Sequence, residues 1–188
     1  MTDLEGRLAR LDTPDLKPPV LPDADVAYVL HDTPIGTMLL AVAGGRVVAS
    51  SFDDEETMTA RLARAVSPRV LRQARPLDDV RRQLDEYLAG RRRTFDLDVD
   101  LTLATPFQRL VLNDLPVRTQ YGATTTYGAV AHDIAKPKAA RAVGTALGSN
   151  PVCVVLPCHR VIGANGALTG YAGGLDAKRF LLNLEAKS

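Results

Sequence analysis

Two adjacent glycines, Gly44 and Gly45, separate two apolar runs of strand-forming residues, and no other feature restricts the fold of this chain as tightly. The runs are Met38-Leu-Leu-Ala-Val-Ala43 and Arg46-Val-Val-Ala-Ser50. A two-residue loop between antiparallel strands needs positive φ, which glycine adopts without a Cβ clash. The segment is therefore predicted to be a β-hairpin with largely buried arms, inside a strand-like pattern that starts at Ala27. Residues 54–66 and 77–89 lack strong breakers and place apolar side chains at helical spacing, for example Val80, Leu84 and Leu88, with Gly90 as a stop. Arg93 to Leu101 alternates polar and apolar residues, which predicts a strand with one face on a core. The first half thus reads as a small α+β unit. Residues 1–24, with Pro14, Pro18, Pro19 and Pro22 among charges, read as a short helix or an irregular extension.

The second half reads as helical. Thr105-Pro-Phe-Gln108 offers an N-cap, a proline at the first helical position and a capping-box glutamine, so a helix is predicted to about Leu115. Thr126 can cap a helix from Tyr127 to about Ile134, and Pro137 opens another that Gly148 ends. Two short helices joined by a tight turn form a helix-turn-helix pattern. In the second, Ala140, Val143 and Leu147 share one face and Lys138, Arg141 and Thr145 another. That spacing serves an ordinary amphipathic pair as well as a DNA-binding one.

Hydrophobic residues make up 46% and charged residues 24% of the 188, the balance of a globular protein without a membrane-length apolar run. The N-terminus lacks the basic flank and apolar stretch of a secretory signal, which predicts a cytoplasmic protein. Two cysteines, Cys153 and Cys158, are too few for a disulfide framework or an all-cysteine zinc site. The net charge of +1 conceals an asymmetry: residues 136–188 carry seven basic residues against two acidic ones. A basic C-terminal part is compatible with phosphate contacts.

Chemistry concentrates in Asn150-Pro-Val-Cys-Val-Val-Leu-Pro-Cys-His-Arg-Val-Ile162, where an apolar run delivers Cys158 beside His159. A thiol of ordinary acidity is mostly protonated at neutral pH, so a nucleophilic Cys158 needs a base or positive surroundings, which His159 and Arg160 could supply. Neighbouring side chains of a strand point to opposite faces, so His159 serves Cys158 only if the chain bends or a water relays the proton. Taken alone, the pair is equally a buried cysteine beside a surface histidine.

Pro157-Cys-His-Arg-Val161, with Arg141-Ala-Val-Gly144 and Asn150-Pro-Val upstream, resembles the O6-alkylguanine-DNA alkyltransferases, also called methylated-DNA–protein-cysteine methyltransferases. The resemblance spans about Thr105 to Glu185 and includes the Pro-Phe-Gln helix start, Thr126-Tyr-Gly, Pro137-Lys-Ala-Ala, Gly170-Tyr-Ala-Gly-Gly174 and the run from Lys178 to Glu185. It implies an α+β fold. Residues 25–100 would form an N-terminal ribonuclease-H-like α/β domain. Residues 101–188 would form a C-terminal helical domain with a helix-turn-helix, winged-helix-like DNA-binding motif. The implied activity is direct-reversal DNA repair: irreversible, single-turnover transfer of an alkyl group from O6-alkylguanine, and from O4-alkylthymine, in double-stranded DNA to Cys158.

The resemblance also implies roles. His159 takes the thiol proton through a water and is held by Glu185. Tyr127 donates a proton to the departing base, and Asn150 holds the turn before Cys158. Arg141 fills the gap left by a flipped nucleotide, with Thr126, Tyr127, Lys138, Ala139, Ala140 and Gly144 on a DNA face that enters the minor groove. Tyr171, Ala172 and Gly173 form a lid over the base pocket together with Val161 and Lys178. Small residues there are expected to leave room for substituents larger than methyl. A monomer without cofactor, metal or membrane attachment is implied.

The sequence departs from the family at three points. It has no tryptophan in the helix after Phe107, where relatives usually carry one. Lys136, a poor N-cap, precedes Pro137, which predicts a loose turn. Cys153 lies in a Val-rich setting that favours a buried, protonated thiol, with a minor second reactive site as the alternative. Three rival functions are a lesion-recognition protein without transfer, which would lack the acceptor cysteine, a DNA-binding regulator, and a cysteine hydrolase using Cys158, His159 and Glu185.

Overall fold

The computed structural model describes residues 24–186, so the expected N-terminal extension lies, except for Ala24, outside the described residues. Strands β1 (Val26–Thr33), β2 (Gly36–Ala43) and β3 (Arg46–Ser51) form an antiparallel meander, and β4 (Val70–Arg72) joins β1 in parallel, giving the order β3-β2-β1-β4. The glycine turn takes φ of 54° at Gly44 and 78° at Gly45, as the hairpin reading requires. Because successive side chains of a strand alternate, uninterrupted apolar arms need cover on both faces. Helix α1 (Glu55–Ala65) covers one face, with Met58 and Leu62 against Leu39, Ala41 and Val48. Helix α2 (Asp78–Leu88) lies in the core of the other, where Val80, Leu84 and Leu88 join Met38, Leu40 and Val42. Asp54 caps α1 by accepting from the Thr57 amide at 2.8 Å, and Gly90, at φ 72°, follows α2.

The alternating segment from Arg93 to Leu101 is a correction: it forms no strand, and only Val99 makes a bridge, to Val47 of β3. The reason is competition for one edge. The Val47 backbone pairs with Asp98 and Asp100 at 2.8 and 2.9 Å, but further along Ser50 pairs with the cysteine segment instead. There the Ser50 amide donates to the Pro151 carbonyl at 2.8 Å, the Cys153 amide to the Ser50 carbonyl at 2.7 Å and the Ser50 hydroxyl to the Cys153 carbonyl at 2.9 Å. The alternation still reports packing, since Phe95, Leu97, Val99 and Leu101 all rest on the core.

Helix α3 (Pro106–Arg118) starts with the full capping box, Thr105 accepting from the Gln108 amide and the Gln108 side chain from the Thr105 amide. It runs one turn beyond the predicted end at Leu115 because Pro116 removes a single N–H, while the Thr119 amide and hydroxyl both return to the Leu115 carbonyl. Helices α4 (Tyr127–Asp133) and α5 (Ala140–Gly148) form the helix-turn-helix, and Thr126 caps α4 by accepting from the Ala129 amide at 3.1 Å. Two expectations change here. Pro137 does not open α5, which starts three residues later, and the turn is tight rather than loose. The Lys136 amide donates to the Ala131 carbonyl, and the Ala135 amide to that of His132, a Schellman closure with Ala135 at φ 56°. A further bond from the Ala139 amide to the Lys136 carbonyl closes the turn without a capping side chain.

Short strands β5 (Thr125–Thr126) and β6 (Val161–Ile162) pair in parallel, and helix α6 (Gly174–Ala186) completes the chain's described part. Val111, Leu112, Val130, Val143 and Leu181 share one continuous apolar core with Met38, Leu40 and Tyr87 of the first half. Among the described residues no helix is long and apolar enough to cross a membrane. Replacing Thr105 with alanine should lower stability by about 1 kcal/mol through loss of the reciprocal cap. Urea denaturation checks this, and an unchanged midpoint would contradict it.

Candidate active site

The segment that carries Cys158 is folded around one side chain. Asn150 accepts from the Val152 amide at 2.9 Å, and its Nδ2 donates to the Val152 carbonyl at 3.3 Å, the Leu156 carbonyl at 3.1 Å and Cys158 Sγ at 3.2 Å. Val154 sits inside this loop at φ 72°, a conformation that costs a β-branched residue about 1–3 kcal/mol and persists where neighbours over-determine it. Pairing of residues 151–153 with β3 and the grip of Asn150 provide that constraint.

At Cys158 the chain leaves extended geometry and makes a 3-10 turn over Cys158–Arg160, so the strand argument that separates Cys158 from His159 does not apply. Cys158 is 4% exposed and His159 is fully buried. The Cys158 thiol is held below its ordinary value. The neighbouring Cys153 thiol contributes most, burial opposes it, and the Asn150 side-chain amide and the Lys178 charge pull in the same direction as Cys153. The Cys153 thiol, which donates to the Asn150 carbonyl at 3.2 Å, is pushed well up by its neighbour Cys158 and by burial, so Cys158 is the more acidic of the pair.

His159 Nε2 lies 2.6 Å from Glu185 Oε1. Glu185, 3% exposed, also accepts from Arg160 Nε at 3.1 and 2.9 Å, from the Gly122 amide at 3.0 Å and from the Tyr87 hydroxyl. Burial alone would raise this carboxyl, but the bonds from His159, Arg160 and Tyr87 and the charge of His159 outweigh it and bring it from 4.5 down to about 2. A carboxylate facing Nε2 fixes the proton there, which leaves Nδ1 as the basic nitrogen. Nδ1 is buried and has no hydrogen-bond partner among the described residues. Burial, opposed by Glu185 and aided by Arg160 and Lys178, lowers the His159 pKa, so the ring is neutral at pH 7.

Lys178 is fully buried and ties two segments together, donating to the Val161 carbonyl at 2.7 Å and the Thr169 carbonyl at 3.1 Å. Its Nζ lies 5.9 Å from the centre of the Tyr127 ring. The Thr169 hydroxyl donates to the Tyr127 hydroxyl at 2.8 Å, which leaves the phenolic hydrogen free. Tyr127 lines a groove of about 820 Å³ with Arg141, Gly144, Thr169 and Tyr171. A Cβ on Gly144 would stand 3.7 Å from the Tyr127 ring, so this small residue lets α5 approach the tyrosine. Arg141 and Lys138 are exposed without ion-pair partners among the described residues, while Ala139 and Ala140 are half-buried beside them.

The loop over residues 170–174, expected to form a lid, differs from expectation at Gly173. A Cβ there would meet the Phe52 ring at 2.7–2.9 Å, so the space beside this glycine is filled by Phe52 rather than left for an alkyl group. Phe52 also meets the Tyr171 ring edge-on at 5.8 Å, and Tyr171 in turn meets His159 at 6.4 Å. Ala172 is exposed on this loop, and the Tyr171 hydroxyl is buried without a partner among the described residues. Sequence reasoning missed Phe52, Tyr87, Thr169 and Gly122. Tyr87 follows Leu84 at helical spacing and reads as a core aromatic; nothing local marks its hydroxyl. Among the described residues no cluster of three or more His, Cys, Asp or Glu could hold a metal.

The fold and this site define a protein that holds an acidified, buried thiol next to a helix-turn-helix. Family profiles match the two halves in turn: "6-O-methylguanine DNA methyltransferase, ribonuclease-like domain" over residues 26–101 and "6-O-methylguanine DNA methyltransferase, DNA binding domain" over residues 106–187. The methylated-DNA–protein-cysteine methyltransferase of Methanosarcina acetivorans is 42% identical over 84% of this chain and 97% of its own length. That of Mycolicibacterium paratuberculosis is 41% identical over 86% and 93%. The crystal structure of Mycobacterium tuberculosis O6-methylguanine methyltransferase superposes with a TM-score of 0.74 at 39% identity, covering 86% of this chain and 93% of that one. A structure of the same enzyme in complex with DNA gives 0.71 at 36% identity, with coverage of 86% and 92%. The chain belongs to the 6-O-methylguanine DNA methyltransferase family.

Replacing Glu185 with glutamine should cost a few kcal/mol at pH 7, because Arg160 loses its buried counter-charge. The native carboxyl is depressed, so its stabilisation is complete above about pH 4.5 and is lost as the pH falls toward about 2. The stability gap between parent and variant in urea should close across that window. A gap that stays constant from pH 7 to pH 2 would contradict the assignment.

Proposed function

We propose that this protein repairs alkylated DNA by direct reversal, with Cys158 as the acceptor of the alkyl group. The observation that carries this reading is the buried sequence of Cys158, His159 and Glu185, in which His159 Nε2 lies 2.6 Å from Glu185 Oε1 and Nδ1 has no partner among the described residues. The Cys158 proton passes through a bridging water to His159 Nδ1, and Glu185 holds the resulting imidazolium through Nε2. The thiolate then attacks the alkyl carbon, so that a sulfur–carbon bond forms as the carbon–O6 bond breaks. Tyr127 delivers a proton to the base, which leaves as neutral guanine, and the proton on His159 returns through solvent to the phenol. A thioether is a poor leaving group, so each chain reacts once and needs no cofactor.

A base inside a duplex hides its O6 substituent, so the nucleotide must rotate out. Arg141, exposed and lining the groove, would enter the vacated stack from the minor groove, and Lys138 and the N-terminus of α5 would meet the backbone. Thr126, through its cap on α4, and Ala139, Ala140 and Gly144, through their small size, shape the same face. The flipped base would lie against Tyr171, with Val161 and Lys178 shaping the pocket wall and Ala172 and Gly173 setting the lid. The protein would act as a monomer in the cytoplasm, where thiols stay reduced.

Cys158→Ser should abolish restoration of guanine in a duplex containing O6-methylguanine while retaining DNA binding by gel shift. Loss of both would show that Cys158 is structural. Arg141→Ala should slow repair of duplex DNA by about tenfold or more and repair of the free base far less; equal losses on both would place Arg141 elsewhere than in the flipping step. Methylation adds volume at a site 4% exposed, so the spent protein should melt lower, consistent with an overpacking cost of about 1–3 kcal/mol.

A further inference from the structure

Tyr87 lies on α2, in the half of the chain that carries none of the family's site motifs, yet its hydroxyl ends inside the acid–base machinery. The residue is fully buried, and its ring packs on Phe95 at 4.9 Å and on Tyr121 edge-on at 5.9 Å, which fixes where the phenol points. The hydroxyl donates to Glu185 Oε1, the same oxygen that faces His159 Nε2 at 2.6 Å, and the phenol oxygen stands 3.4 Å from that nitrogen.

We propose that Tyr87 is a positioning residue for alkyl transfer: its phenol limits the basicity of Glu185, so that His159 stays neutral with its proton on Nε2. This rests on the reading of His159 as the group that accepts the Cys158 proton. An oxygen that accepts from Tyr87 has less electron density to offer the imidazole, and a carboxylate satisfied from several sides attracts a second proton weakly. The depressed Glu185 carboxyl, to which the Tyr87 bond contributes, agrees with this. The groups facing His159 are Glu185 and Lys178 of α6, Arg160 and Cys158 of its own turn, Tyr171 of the lid and Tyr87. Arg160 and Lys178 disfavour the imidazolium and Glu185 favours it, so whatever weakens Glu185 as an acceptor keeps Nδ1 available. The phenol itself stays protonated, because burial and the Glu185 charge raise its pKa. The N-terminal half is therefore part of the reaction machinery and more than a scaffold.

The test is Tyr87→Phe, which removes one oxygen and keeps the ring. His159 is followed by ¹⁵N NMR across pH without DNA, and methyl transfer from an O6-methylguanine duplex is timed over the same range. His159 should titrate about one pH unit higher in the variant, and the loss of rate at pH 6 should exceed the loss at pH 8.5 by about tenfold. An unshifted His159 titration, or a loss equal at all pH values, would overturn the proposal and leave Tyr87 a packing residue. Should the variant fail to fold, 3-fluorotyrosine at position 87 keeps the shape and strengthens the donor, and His159 should then titrate lower; no shift would again overturn it. Because the titration needs no DNA, it decides the role of Tyr87 even if the parent transfers nothing, a result that would instead contradict the repair reading.

Discussion

The buried carboxylate of Glu185 is the interaction on which the rest depends. An ionised group this deep is tolerated only when hydrogen-bonded on every side, and its four donors come from three separate places: Tyr87 on α2, Gly122 in the turn after α3, and His159 and Arg160 in the cysteine turn. Meeting that demand fixes the relative positions of α2, α6 and the cysteine turn. The same set of bonds that makes the charge stable sets the tautomer of His159, with the proton on Nε2. Stability and chemistry are two consequences of one constraint.

A second constraint acts on the other side of Cys158. The outer edge of β3 would be an open strand edge; it is covered by residues 98–100 at one end and by 151–153 at the other. Anchoring the loop this way, together with the hydrogen bonds of Asn150, holds Val154 at positive φ and places Sγ within reach of the Asn150 amide. Phe52, just beyond β3, packs into the space left by Gly173 and so ties the lid to the same sheet. The first half thus shapes the site through backbone pairing, through Phe52 and through Tyr87.

Much of this was legible in the residues. The Gly44-Gly45 hairpin, the Thr105 capping box and the Thr126 cap are local devices with local signatures, and the structure contains each of them. Sequence order gave the helix-turn-helix, and the cysteine motif in its context gave the family. What the sequence hid was non-local. The alternation from Arg93 to Leu101 reports a buried face but cannot show that its strand partner is shared with residues 151–153. The tightness of the turn at Lys136 comes from backbone bonds to Ala131 and His132, which no side chain announces. The Tyr87 hydroxyl and the Phe52 ring act at sites more than seventy residues away, and each reads locally as ordinary packing.

In the proposed reaction Cys158 alone accepts the alkyl group and is consumed. Incubation with an excess of duplex DNA containing O6-methylguanine, followed by intact-mass measurement and peptide mapping, tests it most directly. The expected result is one methyl group per chain, located on Cys158, with one guanine restored for each chain modified. A methyl group on Cys153, an unmodified protein, or more guanine restored than protein present would contradict it.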